Sequence, residues 1–559
     1  MLTKYFKGRF CLPVMVLLVL LLYLPTLRTG FLSDDFLDAQ TETGDAHLAF
    51  SSMMSSGYRP LMSYSWGLDN LVWGRRMQWG WHLTNILILF AALYSLRRFL
   101  KLFISCETSV LAGVALFALC YPVALSVGKV VWRTSLLPLI PLLWAMVLAV
   151  EYEKEQRFLF AAAASFLLLV SLLLKETALA SAPVFGVLTW SVSSGKEQGR
   201  AFLRGFAAAA VATAVYIVLR LLAVGLVTGY ADSASFSPLM LKNIALLFSM
   251  VWSPWLDSVP VRILLPLQIM VLILMPASGK LKLFIGSMSV FLLLTASNLS
   301  PRPDYAVPGA LAAALAVAVY GEAVKKRRAV IPLYGLLLLG VFLQSRDQLK
   351  ILGEASDMVV SQTALMAEIA DEVPGESPLF FRGVPEAVAG YSTFWGEEYM
   401  QPLEYAGYNP GRFVTGVSGM WELLLIHGEG HIIFLKENSW QSYSVSSTGY
   451  DESLSDTSVV LRQSLQAGLL AQYPSCVVGS ADAAVFLLSP IHGDSLIRLE
   501  AENIDHQQVI DLASVPEWIA DGSSAVLVSD REVELVFSSR NIAAENAEER
   551  LLRKASEGH

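Results

Sequence analysis

Three aspartates close to the N-terminus are the first residues of the 559-residue chain whose types and spacing could do chemistry. Asp34, Asp35 and Asp38 follow directly after an apolar run at residues 11–26. Acidic side chains at the edge of a membrane are costly to keep there and usually have a function. A carboxylate in this position could take a proton from an acceptor hydroxyl or could bind a metal ion. The same aspartates could instead cap a helix or lie in solvent, so the spacing leaves these alternatives open.

Two short motifs have the spacing of metal sites, and each lacks further ligands that such a site needs. Residues 34–38 read DDFLD, which places Asp34 and Asp38 four positions apart, as in the Mg²⁺-diphosphate sites of prenyl-transferring enzymes. Such sites normally need a second acidic cluster, whereas Asp69, Asp232, Asp257 and Asp304 stand singly in the sequence. Residues 427–431 read HGEGH, but the two glycines disfavour a zinc-binding helix, so we predict a turn between strands. A divalent metal is possible but not expected, and no other cofactor is expected.

Long apolar runs carry these candidate residues. The chain is 55% hydrophobic and 16% charged, with a mean hydropathy of +0.53, which argues against a disordered chain and against an ordinary soluble enzyme. A helix that crosses a bilayer needs about 20 apolar residues. Runs of this kind predict about 11 transmembrane helices, at residues 11–26, 82–96, 108–126, 134–150, 158–174, 177–193, 205–225, 262–277, 283–299, 305–322 and 329–344.

Basic residues predict how these helices are oriented, because cytoplasmic loops of membrane proteins are enriched in Lys and Arg. With a cytoplasmic N-terminus, the cytoplasmic segments hold 17 of the 28 basic residues of residues 1–345, including KKRR at 325–328. If a further apolar stretch at about 239–256 crossed the membrane, every later loop would lie on the opposite side from the one that its basic residues predict. We therefore predict this stretch to be an amphipathic or re-entrant helix on the outer face. The outer loop at 28–81 then carries the acidic pair.

The chain beyond residue 345 has a different character. Residues 1–345 carry a net charge of +12, whereas residues 346–559 carry a net charge of −20. Short strand-like runs replace the long apolar ones, a helical pattern covers about 354–372, and a polar helix closes the chain at about 541–555. These features predict a transmembrane domain at 1–345 and a soluble extracytoplasmic α+β domain at 346–559. The four cysteines have no spacing that would indicate disulfides or a zinc cluster.

Several motifs within about residues 30–185 resemble one known family. The acidic pair is followed by YRPL, by a WG turn and by HLTN, which opens the second span. The segments VVWRTSLLPL around Arg133 and LLLKETALASAP around Lys175 follow in the same order. This pattern resembles the polytopic glycosyltransferases of the GT-C superfamily, and most nearly the protein O-mannosyltransferase-like membrane region. The tetratricopeptide repeats of many such relatives do not follow in this sequence, and the tail carries no family signature.

The resemblance implies an inverting glycosyltransferase that moves a sugar, a hexosyl or pentosyl group, from a polyprenyl-phosphate-linked donor to an acceptor hydroxyl at the outer face. Asp34 matches the first acid of the family's pair and is the favoured general base, with Asp35 as the alternative. Fixed positive charge stabilises a phosphate that leaves, and Arg and Lys both suit that task. The residues implied for the phosphate are Arg59, Arg133 and Lys175, and those implied for orienting the acceptor are Glu176, His82 and Tyr58.

Less specific roles stay open for the same residues. Arg59 could anchor a loop to lipid headgroups, Arg133 and Lys175 could be helix ends that extend to the membrane surface, and His82 could pack at the head of the second span. For the whole chain, the alternatives are a transporter or flippase and a non-catalytic assembly scaffold. The expected partners are a polyprenyl-phosphate sugar donor, a glycan, lipid or protein acceptor and the bilayer, with no nucleic acid. The expected location is the bacterial inner membrane, with a periplasmic C-terminal domain.

Overall fold

The computed structural model describes residues 11–32, 35–36, 58–74, 76–224, 238–252, 261–294, 302–324, 330–373, 379–382, 387–388, 391–392, 402–403, 408 and 413–414, and then the later β-strands named below. The chain divides into two compact units, Met1–Asp357 and Met358–His559. Among the described residues, helices build the first unit, and strands build most of the second.

The first unit consists of α-helices joined by short 3₁₀ helices. The α-helices are α1 (Cys11–Tyr23), α2 (Pro60–Trp73), α3 (Gln78–Leu100), α4 (Glu107–Leu119), α5 (Tyr121–Gly128), α6 (Leu139–Glu155), α7 (Phe158–Leu174), α8 (Ser181–Val192), α9 (Gln198–Val224), α10 (Pro238–Val251), α11 (Val261–Leu274), α12 (Gly279–Leu294), α13 (Val307–Val324) and α14 (Val330–Glu372). The 3₁₀ helices are Leu24–Arg28, Val131–Ser135, Glu176–Ala178, Gly195–Glu197 and Pro303–Ala306.

Several of these helices have the length and composition of membrane spans. Within the described residues, four helical segments are long and apolar enough to cross a bilayer, and the bent pair α4–α5 would make five. The four are Gln78–Leu100, Val131–Glu155, Gly195–Ala223 and Pro303–Val324. Shorter apolar helices cover Leu12–Arg28, Phe158–Leu174, Ser181–Val192 and Lys242–Val251. The architecture is therefore that of a helical membrane protein, and the apolar stretch at 239–256 contains helix α10.

The predicted span at 108–126 consists of two helices rather than one. α4 and α5 are joined at Cys120 with a bend of 54°. Pro122, in the first turn of α5, explains the bend, because proline has no N–H to donate and its ring displaces the carbonyl of the residue four positions earlier, Ala118. The Tyr23 hydroxyl donates a hydrogen bond of 2.5 Å to the Ala118 carbonyl. Helix α1 thus satisfies the acceptor that the bend releases.

Helix α13 is rich in alanine and packs closely against α4. A Cβ added to Gly113 in α4 would overlap the carbonyl oxygen of Ala314 in α13 and would approach the Ala318 Cβ to 3.2 Å. Small residues allow such close approach of helices in membrane proteins. Because α13 continues directly from the 3₁₀ helix Pro303–Ala306, this packing also fixes the position of Asp304.

The last helix is longer than the sequence pattern predicts. The predicted span at 329–344 and the predicted helix at 354–372 are parts of one helix, α14, which is 43 residues long. The residues between them, SRDQLKILG at 345–353, contain no proline, so nothing in that stretch stops a helix strongly.

The second unit contains three four-stranded sheets and one two-stranded sheet among its described residues. The strand orders are β4-β1-β5-β6, β10-β9-β13-β7, β11-β12-β8-β14 and β2-β3. The strands are β1 (Leu379–Arg382), β2 (Ala387–Val388), β3 (Tyr391–Ser392), β4 (Phe413–Val414), β5 (Glu429–Lys436), β6 (Ser439–Ser446), β7 (Val459–Ser464), β8 (Ser475–Val478), β9 (Ala484–Leu488), β10 (Leu496–Arg498), β11 (Ala501–Ile504), β12 (Gln507–Asp511), β13 (Ser524–Ser529) and β14 (Leu535–Ser538).

One local prediction in this unit is wrong. The HGEGH segment is not a turn at residues 429–431, because β5 begins at Glu429 and pairs His431 with Ser444 of β6. His427 lies outside the described residues, as does the predicted polar helix at 541–555. The paired backbone at Glu429 and His431 excludes the zinc-binding helix that the spacing of the two histidines would need.

The α4–α13 contact gives a test of the packing. Gly113→Ala places a Cβ against a backbone carbonyl that cannot move aside as a flexible side chain could, so we expect a loss of about 1–3 kcal/mol of stability. Gly353→Ala in α14 is the matched control, because a Cβ there meets nothing within 4 Å and alanine favours a helix. Thermal unfolding of the full chain in detergent should show a lower Tm for Gly113→Ala alone. Equal Tm values for the two variants would contradict the packing.

Candidate active site

Asp35 anchors the acidic loop. Its carboxylate is buried, and Oδ2 accepts a hydrogen bond from the Leu32 N–H at 3.0 Å, while Oδ1 accepts one from the Val131 N–H at 2.7 Å. Because the second bond reaches the 3₁₀ helix Val131–Ser135, Asp35 ties the loop after α1 to the segment that carries Arg133. Asp34, the favoured base, lies outside the described residues.

Arg59 and Glu176, assigned to different roles from the sequence, are partners. Arg59 precedes α2, and its Nε and Nη2 donate to the two carboxylate oxygens of Glu176 at 2.8 and 2.5 Å. Such two-bond pairing of a guanidinium with a carboxylate is strong and fixes the orientation of both groups. Burial raises the pKa of Glu176, but the Arg59 charge and hydrogen bonds, the Glu176 backbone N–H and the Lys175 charge together outweigh burial and hold that pKa at about 2. Glu176 is therefore a carboxylate at neutral pH.

Tyr58 connects this pair to helix α9. Its side chain is buried, and its carbonyl accepts a hydrogen bond of 3.1 Å from the Tyr216 hydroxyl. The same hydroxyl accepts a hydrogen bond of 3.3 Å from Arg220 Nη1. Arg220 is buried as well, so α9 brings another cation towards the Arg59 side of the site.

Arg133 lies inside the protein rather than at its surface. The side chain has 0% exposure, and its Nη1 forms an ion pair with Asp69 of α2. Nη2 donates to the Trp81 carbonyl at 3.4 Å, and the guanidinium lies 5.8 Å from the centre of the Trp81 ring. A buried charge is costly unless it is paired, and Asp69 supplies the partner.

The WG and HLTN motifs meet near Asp69 of α2. Thr84 of HLTN donates a 2.7 Å hydrogen bond to Asp69 Oδ1, and the Trp73 indole N–H donates to the Thr84 hydroxyl at 3.0 Å. Asn85 donates from Nδ2 to the carbonyls of Val127 and Lys129 at 3.1 and 3.3 Å. These motif residues therefore hold α2, α3 and the segment after α5 together.

Lys175 is buried at the C-terminal end of α7. Its Nζ lies 3.6 Å from Asp304 Oδ2 and donates to the Ser135 hydroxyl at 2.8 Å. Nζ also lies 5.0 Å from the centre of the Tyr305 ring. Burial lowers the pKa of Lys175 to about 8, although the Asp304 carboxylate opposes that shift.

Arg302 and Lys129, which the sequence motifs did not indicate, are two further cations of the site. Arg302 pairs with Asp304 through bonds of 3.1 and 3.2 Å and lies 4.7 Å from the centre of the Tyr305 ring. The Trp132 ring lies between Arg302 and Lys129, whose charged groups are 5.7 and 5.4 Å from its centre. The structure thus places an alternating set of cations and aromatic rings beside Lys175.

His82 lies on α3 and is completely buried. Its ring lies close to the backbone of Thr29 and Gly30, although neither ring nitrogen makes a hydrogen bond of good geometry with a described residue. The neighbouring residue Trp81 does belong to the Arg133 network, because its carbonyl accepts a hydrogen bond from Arg133. His82 therefore adjoins the Arg133 network and does not belong to its hydrogen bonds.

The described part of the site carries a surplus of positive charge. Six basic side chains stand against four acidic ones, which leaves two positive charges. The basic residues are Arg59, Lys129, Arg133, Lys175, Arg220 and Arg302, and the acidic residues are Asp35, Asp69, Glu176 and Asp304. Such a surplus, partly shielded from water, suits an anionic group such as a phosphate.

The described residues contain no group of three or more His, Cys, Asp or Glu side chains that could hold a metal ion. The expectation that the site needs no metal stays a prediction.

The Arg133–Asp69 pair gives a direct test of the buried network. Asp69→Asn removes the carboxylate that compensates Arg133, and breaking a buried pair on one side costs about 3–5 kcal/mol. The double change Asp69→Leu with Arg133→Met removes both charges and should restore much of that stability. Thermal unfolding of the three proteins in detergent checks this, and an Asp69→Asn protein as stable as the unaltered one would contradict the role of the pair.

Comparisons with known proteins give likeness in structure only. No protein-family model and no curated protein matches the chain. A crystal structure of ArnT from Cupriavidus metallidurans bound to undecaprenyl phosphate is similar at 12% identity and a TM-score of 0.47, over 76% of this chain and 92% of that one. The arabinosyltransferase EmbB from Mycobacterium smegmatis is similar at 12% identity and a TM-score of 0.33, over 96% of this chain and 64% of that one. At these values the likeness assigns no activity, so the proposed function depends on the side chains of this chain.

Proposed function

We propose that the chain transfers a sugar from a polyprenyl-phosphate-linked donor to an acceptor hydroxyl at the outer face of a membrane. The observation that carries this proposal is the surplus of positive charge among the described side chains of the site, most of which are buried or partly buried. Buried charges are normally balanced within a protein, so an unbalanced set favours an anionic ligand. A ligand that joins a phosphate to a long apolar tail fits both the cations and the membrane helices beside them.

The chemistry accounts for the surplus of positive charge. The acceptor oxygen attacks the anomeric carbon and transfers its proton to a carboxylate, while the bond from that carbon to the phosphate oxygen breaks. A phosphodiester with one negative charge becomes a phosphate monoester with nearly two at neutral pH. Because negative charge grows on the leaving group, fixed cations stabilise the transition state more than the ground state. One displacement of this kind inverts the configuration of the sugar.

The roles of individual residues follow from their contacts. Arg59 and Lys175 hold the phosphate, and Glu176 fixes the direction of the Arg59 guanidinium. Arg133, paired with Asp69 and enclosed, supports the site by positioning the segment from Lys129 to Ser135. Asp34 is the base, because Asp35 already accepts two backbone N–H groups. Tyr58 and His82 border the acceptor side.

The topology belongs to the same proposal. About 11 spans, a cytoplasmic N-terminus and an extracytoplasmic part beyond residue 345 put the acidic loop and the cations on one outer face of a bacterial inner membrane. The acceptor is a glycan, a lipid or a protein on that face.

The two aspartates should respond differently to substitution, and this difference tests the function. Asp34→Asn keeps the size of the side chain but cannot accept a proton, so turnover should fall about 10²–10⁴-fold with little change in Tm. Asp35→Asn removes an acceptor oxygen from a buried anchor and should lower Tm. The readouts are the glycans and glycoproteins of cells that carry each variant, analysed by mass spectrometry, and Tm of the purified chains. Normal glycans in a strain with both aspartates changed to Asn would reject glycosyl transfer at this loop.

The pKa of Lys175 gives a pH dependence. With a pKa of about 8, the ammonium is charged at pH 7 and becomes neutral as pH rises through 8. Binding of farnesyl phosphate by the full chain in detergent should therefore weaken above pH 8, by up to about 10- to 150-fold once the charge is lost. The probe's own charge is nearly constant there, because its second pKa is about 6. Lys175→Arg, which stays charged, is the control, and the same fall in that variant would exclude Lys175 as its cause.

A further inference from the structure

Lys129 differs from Arg59, Arg133 and Lys175. The residue is 6% exposed. Among the described residues, its Nζ has neither a hydrogen bond nor a carboxylate partner. The ammonium lies 5.4 Å from the centre of the Trp132 ring. Arg59, Arg133 and Lys175 each have a carboxylate partner within the described part of the chain. Lys129 therefore contributes charge that this part of the protein leaves uncompensated.

The surroundings of Lys129 stabilise its charge only in part. Lys129 lies at the C-terminal end of α5, where helix carbonyls favour a cation by about 0.3–1 kcal/mol. A partly desolvated contact with an aromatic ring adds about 1–2 kcal/mol. Removing an ammonium from water costs several kcal/mol. An anion in contact with Nζ would offset the part of this desolvation cost that the helix carbonyls and the ring do not.

Trp132 provides a second, independent observation. Its side chain is nearly as buried as Lys129, at 9% exposure, and its indole Nε1–H has no acceptor among the described residues. Buried indole N–H groups usually have an acceptor. Arg302 lies against the same ring at 5.7 Å. A buried ammonium and a buried N–H donor, three residues apart on one short segment, thus both lack an acceptor within the part of the chain that the structure describes.

The position of the segment relates it to the acidic loop. Lys129 is two residues from Val131, whose N–H holds Asp35. An anion bound between Lys129 and Trp132 would therefore lie beside the loop that carries the general base, on the side of Arg302.

We propose that Lys129 and the indole N–H of Trp132 form an anion subsite that holds a phosphate oxygen of the donor. The inference rests on the proposed function for the identity of the lipid, but the subsite itself requires only a phosphate group. It assigns a binding role to two residues outside the set implied by the sequence motifs. The unpaired charge of Lys129 is then kept for the ligand and not for the fold.

The test measures binding of two probes by the full-length chain in detergent: inorganic phosphate, against chloride at equal ionic strength, and farnesyl phosphate. Lys129→Met keeps the length of the side chain and removes its charge, Trp132→Phe keeps a ring and removes the N–H, and Lys129→Arg restores a cation. Lys350→Met is the matched control, because Lys350 is exposed and pairs with Glu354 on α14.

We expect Lys129→Met to weaken both probes about 10- to 150-fold, the loss of one hydrogen bond to a charged group. Trp132→Phe should weaken them less, Lys129→Arg should recover most of the affinity, and Lys350→Met should match the unaltered chain. Without ligand, Lys129→Met should have an equal or higher Tm, because it removes an unpaired buried charge.

Other outcomes separate the two proposals. If Lys129→Met binds both probes as tightly as the unaltered chain, with or without a lower Tm, the subsite is overturned. The proposed function would then depend on Arg59 and Lys175 for phosphate binding. Lys129-dependent binding of phosphate without binding of farnesyl phosphate supports the subsite and overturns the lipid donor. If the unaltered chain binds neither probe, both proposals are overturned.

Discussion

Three ion pairs, each joining segments far apart in the sequence, hold the candidate site together. Arg59 pairs with Glu176, Arg133 with Asp69 and Lys175 with Asp304. Helix ends and short 3₁₀ helices carry these groups, and such segments make few backbone bonds to one another. Because a buried charge that loses its partner costs several kcal/mol, each pair strongly disfavours separation of the segments it joins. Asp35 adds a fourth tie through its two backbone bonds.

The same ion pairs determine how much positive charge is left to bind a ligand. Arg133 and Asp69 cancel each other in an enclosed network, so their role is to position the segment that follows α5. Arg59 and Lys175 are paired too, but Arg302 shares Asp304 with Lys175, and Lys129 and Arg220 bring further charge. The surplus therefore comes from the set as a whole and from no single residue. The negative charge on a leaving phosphate grows as its bond to the sugar breaks. Such a set of cations therefore stabilises the phosphate more strongly as the reaction proceeds.

The sequence predicted the helical membrane architecture, because that depends on local composition. The roles assigned to Arg59, Arg133, Lys175 and the acidic loop stay predictions. The sequence did not predict the partners. Asp69 and Asp304 stand singly in the sequence, and only the fold brings them to Arg133 and Lys175. Pro122 was a local signal for the bend between α4 and α5, but hydropathy treats that stretch as one run.

The strand-rich part illustrates the same limit. Strands β1, β5, β9, β13 and β14 carry the apolar runs that mark a strand in the sequence. Less apolar strands such as β6 and β12 (SWQSYSVS and QQVID) depend on pairing with neighbours. Strand propensity depends strongly on context, so such strands carry a weak signal. Lys129 was overlooked because a single lysine after a helix is unremarkable until its burial and lack of a carboxylate are known.

The most direct test of the account is the position of a bound lipid phosphate. Cryo-electron microscopy of the full chain in nanodiscs with undecaprenyl phosphate would locate the phosphate relative to the outer-face side chains. The account predicts phosphate density within hydrogen-bonding distance of Arg59, Lys175 or Lys129, with the Arg133–Asp69 pair intact and the tail among the apolar helices. Phosphate density away from all of these cations, or a lipid bound by its tail alone, would contradict it.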